Sequence, residues 1–213
     1  MKLLHGDAAA RLVSERIAAP VASLTELKAI PANRRTHGML AVNLADGSRW
    51  RFHSTSALTG DDLITVTPDA GTGRWLRMPG AFELKMPIAF GTADAAALFT
   101  TPAGALVQFD EFYWDVTVGF TGGASSAIGL SSNKTGATTK GDLLGGATGD
   151  VAATLVAGTP IMGTIGAQWG TIALRRKIWV ATETVRFDRI TSAFTAGSGF
   201  ACATGKLLRH AGA

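Results

Sequence analysis

The chain has 213 residues, enough for one large domain or for a small one beside a medium one. It is 46% hydrophobic and 17% charged, where about 25% charged is usual, so either much surface is buried in partners or the exterior is rich in Thr, Ser and Gly. The net charge of +4 is spread along the chain, which excludes a dense basic footprint for nucleic acid, and the single cysteine, Cys202, excludes an internal disulfide.

Residues 1–20 read as an arm. Asp7 caps a short helix whose Leu12, Val13, Arg16 and Ile17 follow helical spacing, and Pro20 ends it. A helix of about 12 residues is marginal alone, so it has to dock on this chain or on a neighbour. Leu3-Leu4 is too short for the apolar core of a signal peptide.

Residues 21–80 read as a small module. Leu24, Leu27 and Ile30 give a turn or two of helix, stopped by Pro31. A hairpin follows: Met39–Leu44, the turn Ala45-Asp-Gly-Ser48, and Arg49–His53, with Trp50 and Phe52 on one face. Leu63–Thr67 is a third strand and Gly73–Arg77 a fourth, separated by the turn Pro68-Asp-Ala-Gly71. Met78-Pro-Gly80 marks a boundary, after which Ala, Gly and Thr dominate.

Residues 81–213 read as a β-sandwich domain. Leu84–Phe90 is a strand with Pro87 inside it, which places it at an edge or a bulge. Ala96–Thr100 is a short strand. The richest run of β-branched and aromatic residues follows, from Ala105 to Val118. There Val107 and Phe109 alternate in one phase, and Phe112, Trp114, Val116 and Val118 in the other. The change of phase needs a bulge at Asp110-Glu111. Ala127–Ser131 is a strand, and Ser132–Asp150 a long loop. Val151–Val156, Ile161–Ile165, Gln168–Leu174 and Ile178–Ala181 are short strands or turns. Thr184–Ile190 points Val185 and Phe187 inward and Arg186 and Asp188 outward. Ala193–Gly205 is the last strand, kinked at Gly197-Ser-Gly199, and Cys202 on it is a small core residue. Short strands punctuated by Gly and Pro give an all-β chain: a small N-terminal β-hairpin module with a helical arm, then a jelly-roll-like β-sandwich. Val151–Leu174 is uncharged, but Gly158, Pro160, Gly163, Gly166 and Gly170 interrupt it, so no membrane partner is expected.

No catalytic pattern is visible. His5, His37, His53 and His210 are scattered and read as surface residues, with no metal-ligand spacing. Asp110 and Glu111 lie on opposite faces of a strand and read as a solvated bulge. Gly136–Gly141 has the outline of a phosphate loop, but Asp142-Leu143 stand where Lys and Ser/Thr are required. Neither a cofactor nor an enzyme activity is expected.

The stretches Leu24–Ile30, Arg35-Thr-His-Gly38, Asp46–Phe52 and Thr67-Pro-Asp-Ala-Gly-Thr-Gly-Arg-Trp-Leu-Arg77 resemble a module found in virion proteins of tailed bacteriophages. Thr139–Gly146, Gly149–Ala153 and Thr184–Thr191 are similar in texture to the C-terminal β-domain of phage capsid-surface proteins. The resemblance implies a capsid decoration (cement) protein. It would be made in the host cytoplasm, act as a homotrimer on the capsid surface of the virion, and bridge copies of the major capsid protein. A tail-associated spike, fibre or adaptor with a host-glycan role is the alternative. Candidate partner contacts are the arm residues Leu12, Val13 and Ile17 and the basic groups Arg34-Arg35 and Arg175-Arg176-Lys177.

Overall fold

A computed structural model describes residues 20–123, 125–133, 140–170, 177–191 and 193–210. The chain divides into two compact units. The first comprises the described residues up to Pro79 together with Arg209 and His210; the second runs from Gly80 to Leu208.

In the first unit, helix α1 (Leu24–Ala29) starts at Ser23, whose hydroxyl accepts the Glu26 amide while the Glu26 carboxylate accepts the Ala22 amide. These reciprocal bonds satisfy amides that the first helical turn leaves open. Four strands follow: β1 (Leu40–Val42), β2 (Arg49–His53), β3 (Thr65–Val66) and β4 (Arg74–Arg77), in the order β1-β2-β4-β3. The β1–β2 turn is closed by side chains. Asn43 Oδ1 accepts the Ala45 amide, and Asp46 Oδ1 accepts both the amide and the hydroxyl of Ser48. Register puts Ala41, Trp50, Phe52, Trp75 and Val66 on one face, where they pack with Val21 and Leu27. Alternation sends Arg51, His53, Leu76 and Met78 to the opposite face.

The Pro68–Trp75 stretch is a structural tie in this unit. The Asp69 amide donates to the Lys28 carbonyl (3.1 Å), and the Arg35 guanidinium donates to the Ala70 carbonyl. Gly73 has φ +91°, and a Cβ there would stand 2.6 Å from Phe52 Cζ and 2.7 Å from the His53 carbonyl. Only glycine serves both demands. Trp75 then enters the core with its ring centroid 5.2 Å from that of Phe52.

The second unit is a sandwich whose described residues form seven strands: β5 (Gly80–Ala89), β6 (Ala97–Thr100), β7 (Leu106–Gly122), β8 (Ala127–Ser132), β9 (Asp150–Val151), β10 (Thr184–Arg189) and β11 (Phe194–Arg209). One sheet has the order β5-β11-β7 and the other β6-β10-β8-β9. The pairs β5–β11, β6–β10 and β8–β9 are antiparallel, and β7 pairs through Trp114↔Ile161 with an irregular segment between β9 and β10. These four pairs are the rungs of one folded-over ribbon, β5 to β8 out and β9 to β11 back. Wrapping that ribbon so that β11 also meets β7, and β10 also meets β8, is the jelly-roll arrangement. The irregular segment takes the place of its eighth strand. Helical turn α2 (Ala167–Gly170) follows that segment and buries Trp169.

The core centres on Phe109. Its ring lies 5.9 Å from Phe82 and 5.8 Å from Phe99, 5.1 Å from Phe112 and 4.9 Å from Trp179, which joins the two sheets through aromatic edges. The phase change in β7 falls where the alternation requires it. Asp110 and Glu111 are both exposed between buried Phe109 and Phe112. Pro87 lies in β5, which pairs on one side only, so its missing amide costs no ladder bond. Cys202 is fully buried, and burial pushes its thiol up to about 11.

Three expectations need correction. Val118 shares the parity of Trp114 yet is 54% exposed, although Val116 and Phe120 on either side of it in that parity are buried. Asp188 is buried, since the turn at Gly141 covers the outer face of β10. His53 and His210 are buried as well, at 8% and 1% exposure. The short strands or turns expected over Val151–Val156 and Ile161–Ile165 take the second form: Asp150–Val151 is a short strand followed by turns, and Ile161 and Ile165 make isolated bridges.

Candidate functional site

On the first unit's sheet face opposite α1 lies a cleft of about 420 Å³. Arg51 and His53 of β2, Leu76 of β4, then Met78, Pro79 and Arg209 bound it, with Arg77 as the remaining wall residue. No carboxylate among the described residues lines it. His53 is buried, its Nε2 has no hydrogen-bond partner, and its ring sits edge-on to His37 at 5.0 Å. Burial, then the fields of His37, Arg51 and His210, hold His53 below the usual imidazole range, so it is neutral at pH 7. Arg51 and Arg209 form no hydrogen bond or ion pair among the described residues. Arg77 differs: its guanidinium lies over the Trp50 ring at 5.9 Å, 3.9 Å from Asp46 Oδ2. Thr65 and His210 pair at 3.0 Å nearby, and Asp61 Oδ1 accepts the amides of Leu63, Ile64 and Thr65 at 2.8–2.9 Å. Burial outweighs those three bonds and raises the Asp61 carboxyl.

The basic pair expected at Arg34-Arg35 splits. Arg34 is exposed, whereas Arg35 is buried 5.2 Å over the Phe52 ring and held by the Ala70 carbonyl, so it serves the fold. Lys177 is exposed. Leu12, Val13, Ile17, Arg175 and Arg176 lie outside the described residues, as does the Gly136 end of the outlined phosphate loop.

The second unit carries a different feature. The segment after β9 runs antiparallel beside β7, with Phe120 donating to the Leu155 carbonyl (3.0 Å), Gly158 to Val116 (3.4 Å), and Trp114 and Ile161 exchanging bonds at 2.8 Å. Val118 on β7 and Val156, Met162 and Ile165 along that segment are 53–54% exposed. Exposed large apolar side chains along a strand and the segment paired with it are candidates for a contact surface.

Three aspartates of the second unit are buried. Asp150 accepts Trp114 Nε1 at 2.7 Å and the Thr164 amide at 2.9 Å. Asp188 accepts Ser131 Oγ and the Gly141 amide, both at 2.8 Å. Asp142 accepts the Ser132 amide at 2.9 Å, while its second oxygen has no partner. Burial, with Asp188 adding to it, raises the Asp142 carboxyl to about 7. Comparison with known proteins returns no matching family model, no matching curated protein and no matching solved structure. The described residues hold no group of three metal-ligating side chains.

The cleft as a whole leaves no local signature in the sequence, because its members come from β2, β4 and Arg209, which only the fold unites. The alternation Arg49-Trp-Arg-Phe-His53 was the available signal: two basic side chains and a histidine share the face opposite the aromatics.

Proposed function

We propose that the chain is a structural virion protein that decorates the capsid of a tailed bacteriophage and stabilises it by bridging neighbouring copies of the major capsid protein, as a homotrimer. The exposed apolar edge at Val118, Val156, Met162 and Ile165 carries this reading. Jelly rolls serve capsid and lectin roles alike, so the fold leaves the role open and the surface argues for it. A chain with 17% charged residues and such an edge gains from burying it in an assembly. The resemblance of residues 21–80 to a phage virion module supplies the kind of assembly. Binding only the assembled shell adds stability to the shell by mass action.

The test pairs light scattering with co-sedimentation on particles stripped of the protein. The expected mass is three times the 22.0 kDa of one chain, with saturable binding to particles. The double variant Val118→Glu/Val156→Glu should fold, because both positions are exposed, yet fail to sediment with particles. Undiminished binding by that variant would contradict the proposal.

A further inference from the structure

We propose that the cleft of the first unit binds a small organic oxyanion, its charged end held by Arg51, Arg209 and His53 and its apolar part resting on Leu76 and Met78. Three independent features point there. Among the described residues the wall holds cations and no carboxylate, so its field attracts an anion. Arg51 and Arg209 have no hydrogen-bond or ion-pair partner among the described residues to offset that field. The buried Nε2 of His53 has no hydrogen-bond partner among the described residues, and buried ring nitrogens ordinarily find one. An oxyanion supplies acceptors for both guanidinium groups, and for His53 it supplies the acceptor once the ring carries a proton on Nε2. The apolar wall of Leu76, Met78 and Pro79 and the volume of about 420 Å³ suit a ligand larger than a bare inorganic ion. Negative charge beside His53 opposes the field of Arg51 that holds its imidazole low, so binding raises the His53 value.

The experiment uses the full chain with ¹⁵N-labelled histidine, followed by imidazole nitrogen spectra at pH 7 and low salt. His53 is assigned from the missing signal of His53→Gln. Phenyl phosphate, benzoate and inorganic phosphate are titrated in separate arms. The expected result is a saturable shift of the His53 signals with phenyl phosphate or benzoate, and weaker binding of inorganic phosphate. Which organic probe binds tighter tells whether the site prefers phosphate or carboxylate. Arg51→Gln should bind about tenfold more weakly, the loss of one charge-assisted hydrogen bond. Arg34→Gln, exposed and outside the cleft, should bind as the parent does. Non-saturable shifts with every probe, or equal weakening by Arg34→Gln and Arg51→Gln, would overturn the site. Inorganic phosphate binding as tightly as both organic probes would overturn the role given to Leu76 and Met78.

Discussion

Replacing Trp114 with alanine tests the packing of the second unit most sharply. Its indole is fully buried in the middle of β7. Removing it takes away an aromatic core side chain, which typically costs about 3–5 kcal/mol. It also leaves Asp150 Oδ2 without the donor that stands 2.7 Å away, and a buried acceptor stripped of its partner adds about 1–3 kcal/mol. Asp150 keeps the Thr164 amide, which argues for the lower end of that second figure. The sum of about 4–6 kcal/mol is a large share of the roughly 5–15 kcal/mol that holds an ordinary domain folded. Trp114→Phe separates the contributions. It keeps most of the ring, so its cost should approach the hydrogen-bond part alone, about 1–3 kcal/mol. Urea unfolding followed by far-ultraviolet circular dichroism measures both, provided the slope with urea stays unchanged. A loss below about 1 kcal/mol for Trp114→Ala, or equal losses for the two variants, would refute this account of the core.

Further outcomes follow from the same geometry. Asp142, with its carboxyl raised to about 7, stabilises the fold fully at acid pH, and that contribution is lost as pH rises from about 4 through 7, so the melting temperature should fall between pH 5 and pH 8. Asp142→Asn should flatten that slope and melt higher at pH 8; an unchanged slope would assign the pH dependence elsewhere. Asp61→Ala strips three amides of their acceptor and should cost roughly 2–4 kcal/mol, whereas Asp61→Asn, which keeps an acceptor oxygen, should cost less than half of that in the same urea assay. Gly73→Ala should cost roughly 2–4 kcal/mol from its positive φ and the approach to Phe52, read as a lowered melting temperature.

Much of the fold was legible because its signals are local. The Asp46-Gly47 turn, the alternation of Trp50 and Phe52, and the slip of phase at Asp110-Glu111 each depend on a few neighbouring residues, and each matches the structure. What depends on remote residues was not legible. The burial of Asp188 needs the turn at Gly141, nearly fifty positions away in the chain, to fold over β10. The burial of His53 and His210, and the cleft, need β2, β4 and the chain end to meet. Over 151–165 the composition left strands and turns both open, and glycine and proline there leave turns and single bridges at Ile161 and Ile165 instead of a ladder. Arg35 looked like an outward basic residue, and its place over Phe52 is set by the Pro68–Gly73 turn closing beneath it.

The central claim is that this chain clothes the head of a phage particle, and its location on the particle tests that most directly. Electron cryomicroscopy of particles with and without the protein, with the first and second units fitted separately into the difference density, gives the answer. The account predicts density on the outer face of the head, repeated at symmetry-related positions, with the Val118–Ile165 edge turned toward a neighbouring chain. Density confined to the tail, or particles that lack the protein altogether, would contradict it.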